Sequence, residues 1–269
     1  MSYSIANLPA ILRDSAGIRT SSRSREEISQ EMLQAGLAPT AGGPVGVFFD
    51  HIQLGEALAL YSLVRELRPQ HSFEIGFCSG ASGLAILQAL HDNGQGHHFV
   101  CDPYQSSYAQ NAGLKNVAGA RLAARFTLFE KFPEEISSTL PPLEFAFIDS
   151  SHLFDLTMLD FVLVDKRLAV GGIVGLHDMW MRSQQKVVRF VLNNRSYEIV
   201  RTPYLTPRPP PWTLFPRKLV AGLLRLVPGA ARLFTQDVLS PWEAFGFTNL
   251  AFLRKTATDQ RDWRFDRPF

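Results

Sequence analysis

Phe73-Glu74-Ile75-Gly76-Phe77-Cys78-Ser79-Gly80-Ala81-Ser82-Gly83 ends a short apolar strand, turns on three glycines and enters a second helical pattern at Leu84–Leu90. A glycine-rich strand-to-helix turn lets a ligand approach the backbone and meet the positive end of a helix. The residues inside the turn separate the ligands. A dinucleotide fingerprint requires G-x-G-x-x-G, and two residues beyond Gly76 this chain has Cys78. The pattern is instead Glu-x-Gly-x-x-x-Gly-x-Ser-Gly, with an acid two residues before the first glycine.

Working outward, strands alternate with helices. A helix is expected over Gln53–Leu67, then strands at Ser72–Ile75, His98–Cys101, Arg125–Leu128 and Leu143–Ile148. A helix over Asp155–Ala169 and a fifth strand at Ile173–Leu176 follow, with Tyr197–Val200 and Asn249–Leu253 as the sixth and seventh strands. Strands joined by helical crossovers predict a Rossmann-like, doubly wound, mostly parallel seven-stranded sheet with helices on both faces. A C-terminal insertion precedes the last strand. Residues 1–46 form an N-terminal extension, with a helix start at Ser24-Arg25-Glu26-Glu27, and 47–269 the main domain, interrupted by a proline-rich insertion at about 203–240.

The glycine turn resembles motif I of class I methyltransferases that use S-adenosylmethionine (SAM). That resemblance assigns Glu74, Gly76, Phe77, Gly80 and Ser82, with Asp149 at the end of the fourth strand, to the cofactor site. Asp102 closes the second strand, where an acid accepts ribose hydroxyls. NAD sites place an acid similarly, so the missing glycine at Cys78 and the presence of Glu74 favour SAM. An NAD(P)-dependent oxidoreductase and a non-catalytic SAM-fold binding protein are the competing readings.

The fourth strand runs into Asp149-Ser150-Ser151-His152 and the fifth into Gly175-Leu176-His177-Asp178. Adjacent strand ends bring Asp149 and Asp178 beside the same cleft. Converging carboxylates repel unless one is protonated or a cation lies between them, and oxygen-rich sites favour Mg²⁺. His152 has the pKa range of a general base for a hydroxyl proton. This half is similar to the methyltransferase group of macrocin-type sugar O-methyltransferases and cephalosporin hydroxylase-like proteins, over roughly residues 50 to 180. The resemblance implies Asp149 and Asp178 as metal ligands and His152, with Asp149, as the catalytic set. The family's acid before the second Asp is His177 here, a third ligand or none. A histidine ligand suits Mn²⁺ or Fe²⁺ better than Mg²⁺, and the sequence leaves metal binding open.

Composition sets bounds. The 269 residues are 46% hydrophobic and 19% charged, with two cysteines and a net charge of +2. No disulfide framework or zinc spacing follows. Met1–Ile11 lacks the features of a secretory signal, so a cytoplasmic setting is expected. Charge is uneven: residues 199–236 hold six bases (Arg201, Arg208, Arg217, Lys218, Arg225, Arg232) and no acid, leaving −4 for the remainder. Within that segment, Leu219, Val220, Leu223, Leu224 and Val227 share one helical face. A lid or a homodimer interface is the commoner outcome for such a helix, and contact of 216–227 with a membrane surface the rarer one. Methyltransferases acting on base amino groups end the fourth strand in Asn/Asp-Pro-Pro-aromatic. Asp-Ser-Ser-His stands there in this chain, so the expected acceptor is a small-molecule hydroxyl and no nucleic-acid partner is expected.

Overall fold

The computed structural model describes residues 3–13, 52–205, 214–230 and 249–265. The expected helix start at Ser24–Glu27, the domain boundary near residue 46, and the insertion at 206–213 and 231–248 lie outside them. In chain order the elements are α1 (Leu54–Leu67), β1 (His71–Ile75), α2 (Ala81–Asn93), β2 (His97–Cys101), α3 (Ala112–Gly119), β3 (Phe126–Phe129), α4 (Pro133–Ile136) and β4 (Leu143–Ile148). These are followed by α5 (Phe154–Asp165), β5 (Leu168–Leu176), α6 (Arg182–Asn194), β6 (Tyr197–Val200), α7 (Leu214–Arg225) and β7 (Ala251–Lys255).

The seven strands form one sheet in the order β3-β2-β1-β4-β5-β7-β6. β1 to β5 pair in parallel, while β7 runs antiparallel to both β5 and β6. The mostly parallel seven-stranded expectation therefore holds. An all-parallel dinucleotide fold has the order 3-2-1-4-5-6; a reversed strand wedged between the fifth and sixth positions departs from it.

Central strands are buried on both faces, which explains their near-continuous apolar sequence. Side chains alternate across β4: Phe145 and Phe147 enter a core with α1 and α2, and Ala146 and Ile148 enter one with α5 and α6. Gln53 caps α1, its N–H donating to Glu56 Oε2 at 2.7 Å.

One boundary differs substantially from the sequence expectation. The helix expected to reach Ala169 ends at Asp165, and β5 begins at Leu168 rather than Ile173. Leu168 pairs with Leu143, but the next pair is Phe145 with Ile173, so extra residues bulge from β5 around Gly171 at φ +90°. Helical apolar spacing through Val170 hides a bulged strand start.

Candidate active site

Gly76 leaves β1 at φ +85°, and a Cβ there would lie 2.0 Å from the carbonyl oxygen of Asp149. The β1 and β4 exits are thus in backbone contact at a position only glycine can occupy. Gly80, Gly83 and Gly113 serve differently. A Cβ on any of them would strike the Phe77 ring, at 2.7, 2.4 and 2.4 Å. Together they form a socket for that ring, which also meets Phe126 at a centroid distance of 5.3 Å.

Side chains from the body of the fold hold the turn. Asp102 Oδ2 accepts from the N–H groups of Phe77 (3.2 Å) and Cys78 (2.8 Å), and Oδ1 from that of Tyr104 (2.9 Å). An ionised carboxylate has about four acceptor sites, so it retains capacity for a ligand hydroxyl. Gln105 Nε2 donates to Cys78 O and Asn116 Nδ2 to Ser79 O, both at 2.9 Å. Glu74 is fully buried beneath the turn, where it accepts from Ser82 Oγ and bonds His98 Nε2 at 2.9 Å. Burial raises the Glu74 pKa, opposed by its bonds to His98 and Ser82. His98 Nδ1 bonds Ser72 Oγ at 2.9 Å. Burial and the Asp102 charge push the Cys78 thiol up to about 11, so it stays protonated at neutral pH.

Above this turn lies a cleft of about 500 Å³, within the range of small-molecule sites. Of the sequence-expected cofactor residues, Gly76, Phe77, Ser82, Asp102 and Asp149 line it. Glu74 and Gly80 do not: the first supports the turn from below and the second caps α2 at φ +79°. The ionisable lining comprises Cys78, Asp102, Tyr104, Tyr108, Glu134, Asp149, His152 and Asp160, with no Lys or Arg among the described residues. Such a surface suits a sulfonium cation. The spare capacity of Asp102 and the acidic lining therefore fit SAM.

Beside the glycine turn, the β4 and β5 exits bring four ionisable side chains together: Asp149 and His152, which line the cleft, and His177 and Asp178. His152 Nε2 stands 3.3 Å from Asp178 Oδ2. Both residues adopt left-handed backbone, at φ +60° and +54°, which Asp and His tolerate better than most residues. Asp149, His152 and Asp178 each offer a donor atom within 4.8 Å of the others, the spacing of a candidate cation site. His177 is not in that group. It is buried beneath it, with Nδ1 3.2 Å from Asp149 Oδ1 and 3.6 Å from Asp178 Oδ1. Its Nε2 lies 3.5 Å from Glu56 Oε2 and 3.1 Å from the Asn249 amide. Burial alone would lower the His177 pKa. The charge of Asp149 and hydrogen bonds to Asp149 and Glu56 outweigh that and push it up to about 10. An imidazolium in this place partly neutralises the converging carboxylates. Asn249 Oδ1 is buried without a partner in the assigned orientation; rotating the amide would point that oxygen at a protonated Nε2.

Gln105, Asn116 and His98 went unremarked as turn supports, because a buried polar side chain far along the chain carries no local motif. Glu56 was equally hidden, on a helix that sequence periodicity marks only as core.

Residues 73–179 match the family model described as a methyltransferase domain. No curated protein sequence matches the chain significantly. Among solved structures, the chain is similar to the cofactor-bound Rv0187 protein from MTB, with a TM-score of 0.56 at 11% identity, covering 95% of this chain and 99% of that one. It is also similar to the O-methyltransferase TomG from Streptomyces achromogenes, solved with SAM (TM-score 0.53, 13% identity, 95% and 100% covered). A putative O-methyltransferase from Klebsiella pneumoniae gives a TM-score of 0.54 at 11% identity, with 95% and 100% covered. At these identities the structural likeness speaks to fold. The match to the methyltransferase-domain model runs from the first core residue of β1 to the turn after β5, and so includes the glycine turn, Asp102 and the β4 and β5 exits.

Proposed function

We propose that the enzyme methylates a hydroxyl group of a small molecule, with His152 as general base. The observation that carries this reading is the His152–Asp178 pair, 3.3 Å apart, with His152 lining the same cleft as the glycine turn. A proton shared between Nε2 and Asp178 fixes the tautomer and leaves the Nδ1 lone pair as the proton acceptor. The acceptor oxygen gives its proton to that nitrogen and attacks the methyl carbon of SAM. As the C–O bond forms, the C–S bond breaks and its electrons return to sulfur, producing S-adenosylhomocysteine (SAH). Asp102 orients the ribose, and the acidic lining favours the cationic donor. The test is mass spectrometry of products from hydroxyl and amine panels incubated with SAM. Methylated ethers support the proposal, and methylated amines alone overturn it.

A second reading follows from the close donor atoms of Asp149, His152 and Asp178. These residues would hold a divalent ion, which would lower the pKa of an acceptor hydroxyl. A nitrogen that ligates a cation cannot also take a proton, so the two readings compete for His152. His177 between the carboxylates favours the base. Turnover that survives a strong chelator supports it, and turnover abolished by chelation and restored by Mg²⁺ or Mn²⁺ assigns the trio to a metal.

A further inference from the structure

Tryptophan is among the more buried residues of a folded chain, yet Trp180, just past the exit of β5, is 57% exposed. The turn that carries it is held on several sides. Asp178 takes left-handed backbone at φ +54°, and its carbonyl accepts from the Met181 N–H at 2.8 Å. The Met179 N–H donates to the Asn249 carbonyl at 3.1 Å, and Gln185 Nε2 donates to the Met179 carbonyl at 2.8 Å. Met179 is thereby sent inward, at 2% exposed, and Trp180 outward. Burial does not explain an indole at this position. Its polar atom does: Nε1 donates to Asp178 Oδ1 at 2.8 Å. An indole nitrogen is a donor only, so this bond has one direction.

Asp178 is a carboxylate that needs such a tie. Its χ2 is a broad, roughly two-fold torsion, so either oxygen can swing toward a neighbour. Oδ1 is held by the indole, with His177 Nδ1 more distant at 3.6 Å. Oδ2 is left to face His152 Nε2 at 3.3 Å. The His152 backbone is fixed as well, its carbonyl accepting from Ser183 Oγ at 2.8 Å. In a neutral imidazole, the partner of one nitrogen decides which nitrogen carries the proton. With Oδ2 accepting from Nε2, the proton stays there and the Nδ1 lone pair is open. A carboxylate free to turn would hold Nε2 for only part of the time, and both tautomers would be populated.

We propose that Trp180 is a positioning residue for the base: its indole N–H pins Asp178, and the oxygen left over selects the His152 tautomer that can take the acceptor's proton. The inference rests on the reading of His152 as that base.

The test is long-range ¹H–¹⁵N correlation NMR of the full chain labelled with ¹⁵N-histidine, saturated with SAH, at a pH where the ring is neutral. The His152 signals are those that His152→Ala lacks. In the wild type the form protonated on Nε2 should predominate. W180F keeps an aromatic ring but no donor. It should lower the ratio of the Nε2–H to the Nδ1–H form by at least about fivefold, the loss of one hydrogen bond to a charged group at an exposed site. W180Q, whose amide N–H lies as many bonds from Cα as the indole N–H, should recover most of that ratio. Both variants should keep SAH affinity within about twofold, as exposed substitutions do. A wild-type ratio in W180F overturns the proposal alone and leaves His152 as the base. A ratio that falls in W180F and stays down in W180Q assigns the effect to the ring and also overturns it, as does a fall accompanied by lost SAH affinity. A wild-type ring protonated on Nδ1 overturns the base reading itself, and the proposal with it.

Discussion

On the donor side of the cleft, the glycine turn is gripped by buried side chains: Asp102 on its amides, Gln105 and Asn116 on its carbonyls, and Glu74 with His98 beneath it. On the acceptor side, Asp149, His152 and Asp178 lean on one another at partial exposure, over a single buried histidine. The donor wall has its shape set by backbone contact and ring packing, so little there is free to titrate or move. On the acceptor wall, Asp149, His152 and Asp178 offer donor atoms within 4.8 Å of one another, and His177 beneath them has its pKa pushed up to about 10 by Asp149 and Glu56. Binding of the common donor demands a fixed mould, whereas proton transfer demands a group poised near neutrality. Damage to the first wall should therefore appear as lost folding and lost SAM affinity together. Damage to the second should appear as lost turnover alone.

The largest effect tests the mould. Gly76→Val would place a branched side chain 2.0 Å from a backbone carbonyl that no rotamer change can relieve. A loss above about 4 kcal/mol of stability is expected, with SAH binding undetectable by calorimetry. Gly94→Ala is the control: its φ is also positive at +69°, but nothing lies within 4 Å of the added Cβ. Its cost should be about 1–2 kcal/mol, the backbone strain alone, with SAH affinity intact. If both variants behaved alike, the rigid contact between the β1 and β4 exits would not be what shapes the donor wall.

The next effect tests the acceptor wall. His152→Ala should lower kcat by about 10² to 10⁴, the contribution of a positioned general base, and leave SAH affinity unchanged within about twofold. His152 pairs with Asp178, and its carbonyl accepts from Ser183 Oγ, so a matched fall in SAH affinity would break the comparison. Unchanged turnover would remove His152 from the mechanism. The pH profile separates base loss from distortion, because a variant lacking the base should recover rate as pH rises and hydroxide ionises the acceptor.

Sheet architecture was legible because β1 and β4 are short apolar runs ending in Gly76 and Asp149, and strand ends collect the site. Gly76, Asp102, Asp149 and His152 could be placed at one cleft for that reason. What sequence could not show was the division of labour within the motif. Gly80 and Gly83 looked like open backbone for a ligand and instead make room for Phe77, with Gly113 from a helix thirty residues away. Glu74 resembled a ligand contact and proves to be a buried strut, because its partner His98 sits on a neighbouring strand whose register no local pattern reveals. β5 was cut short because a bulge breaks the alternation that marks strands. The outward apolar face of α7, at Leu219 and Leu223, was invisible too, since periodicity reports an apolar face and not the direction in which it points.

The smallest effect is electrostatic and probes where the two walls meet. Asp160 lines the cleft from α5 and accepts from Ser150 Oγ at 2.5 Å, next to Asp149 on the β4 exit. Burial, aided by the charge of Glu134 and opposed by the Ser150 bond, pushes its pKa up from 3.8 to about 6. The folded state therefore holds this proton more tightly than the unfolded chain. The resulting stabilisation is present in full below about pH 3.8 and is lost as pH rises through about 6. A shift of about two units corresponds to roughly 2–3 kcal/mol. Asp160→Asn keeps an acceptor for Ser150 but cannot ionise. Compared with the wild type, it should gain about 2 kcal/mol in urea unfolding at pH 8 and nothing at pH 4. Equal gains at both pH values would mean that Asp160 acts through shape rather than charge. That would make this part of the cleft resemble the donor wall, whose shape is set by packing and backbone contact.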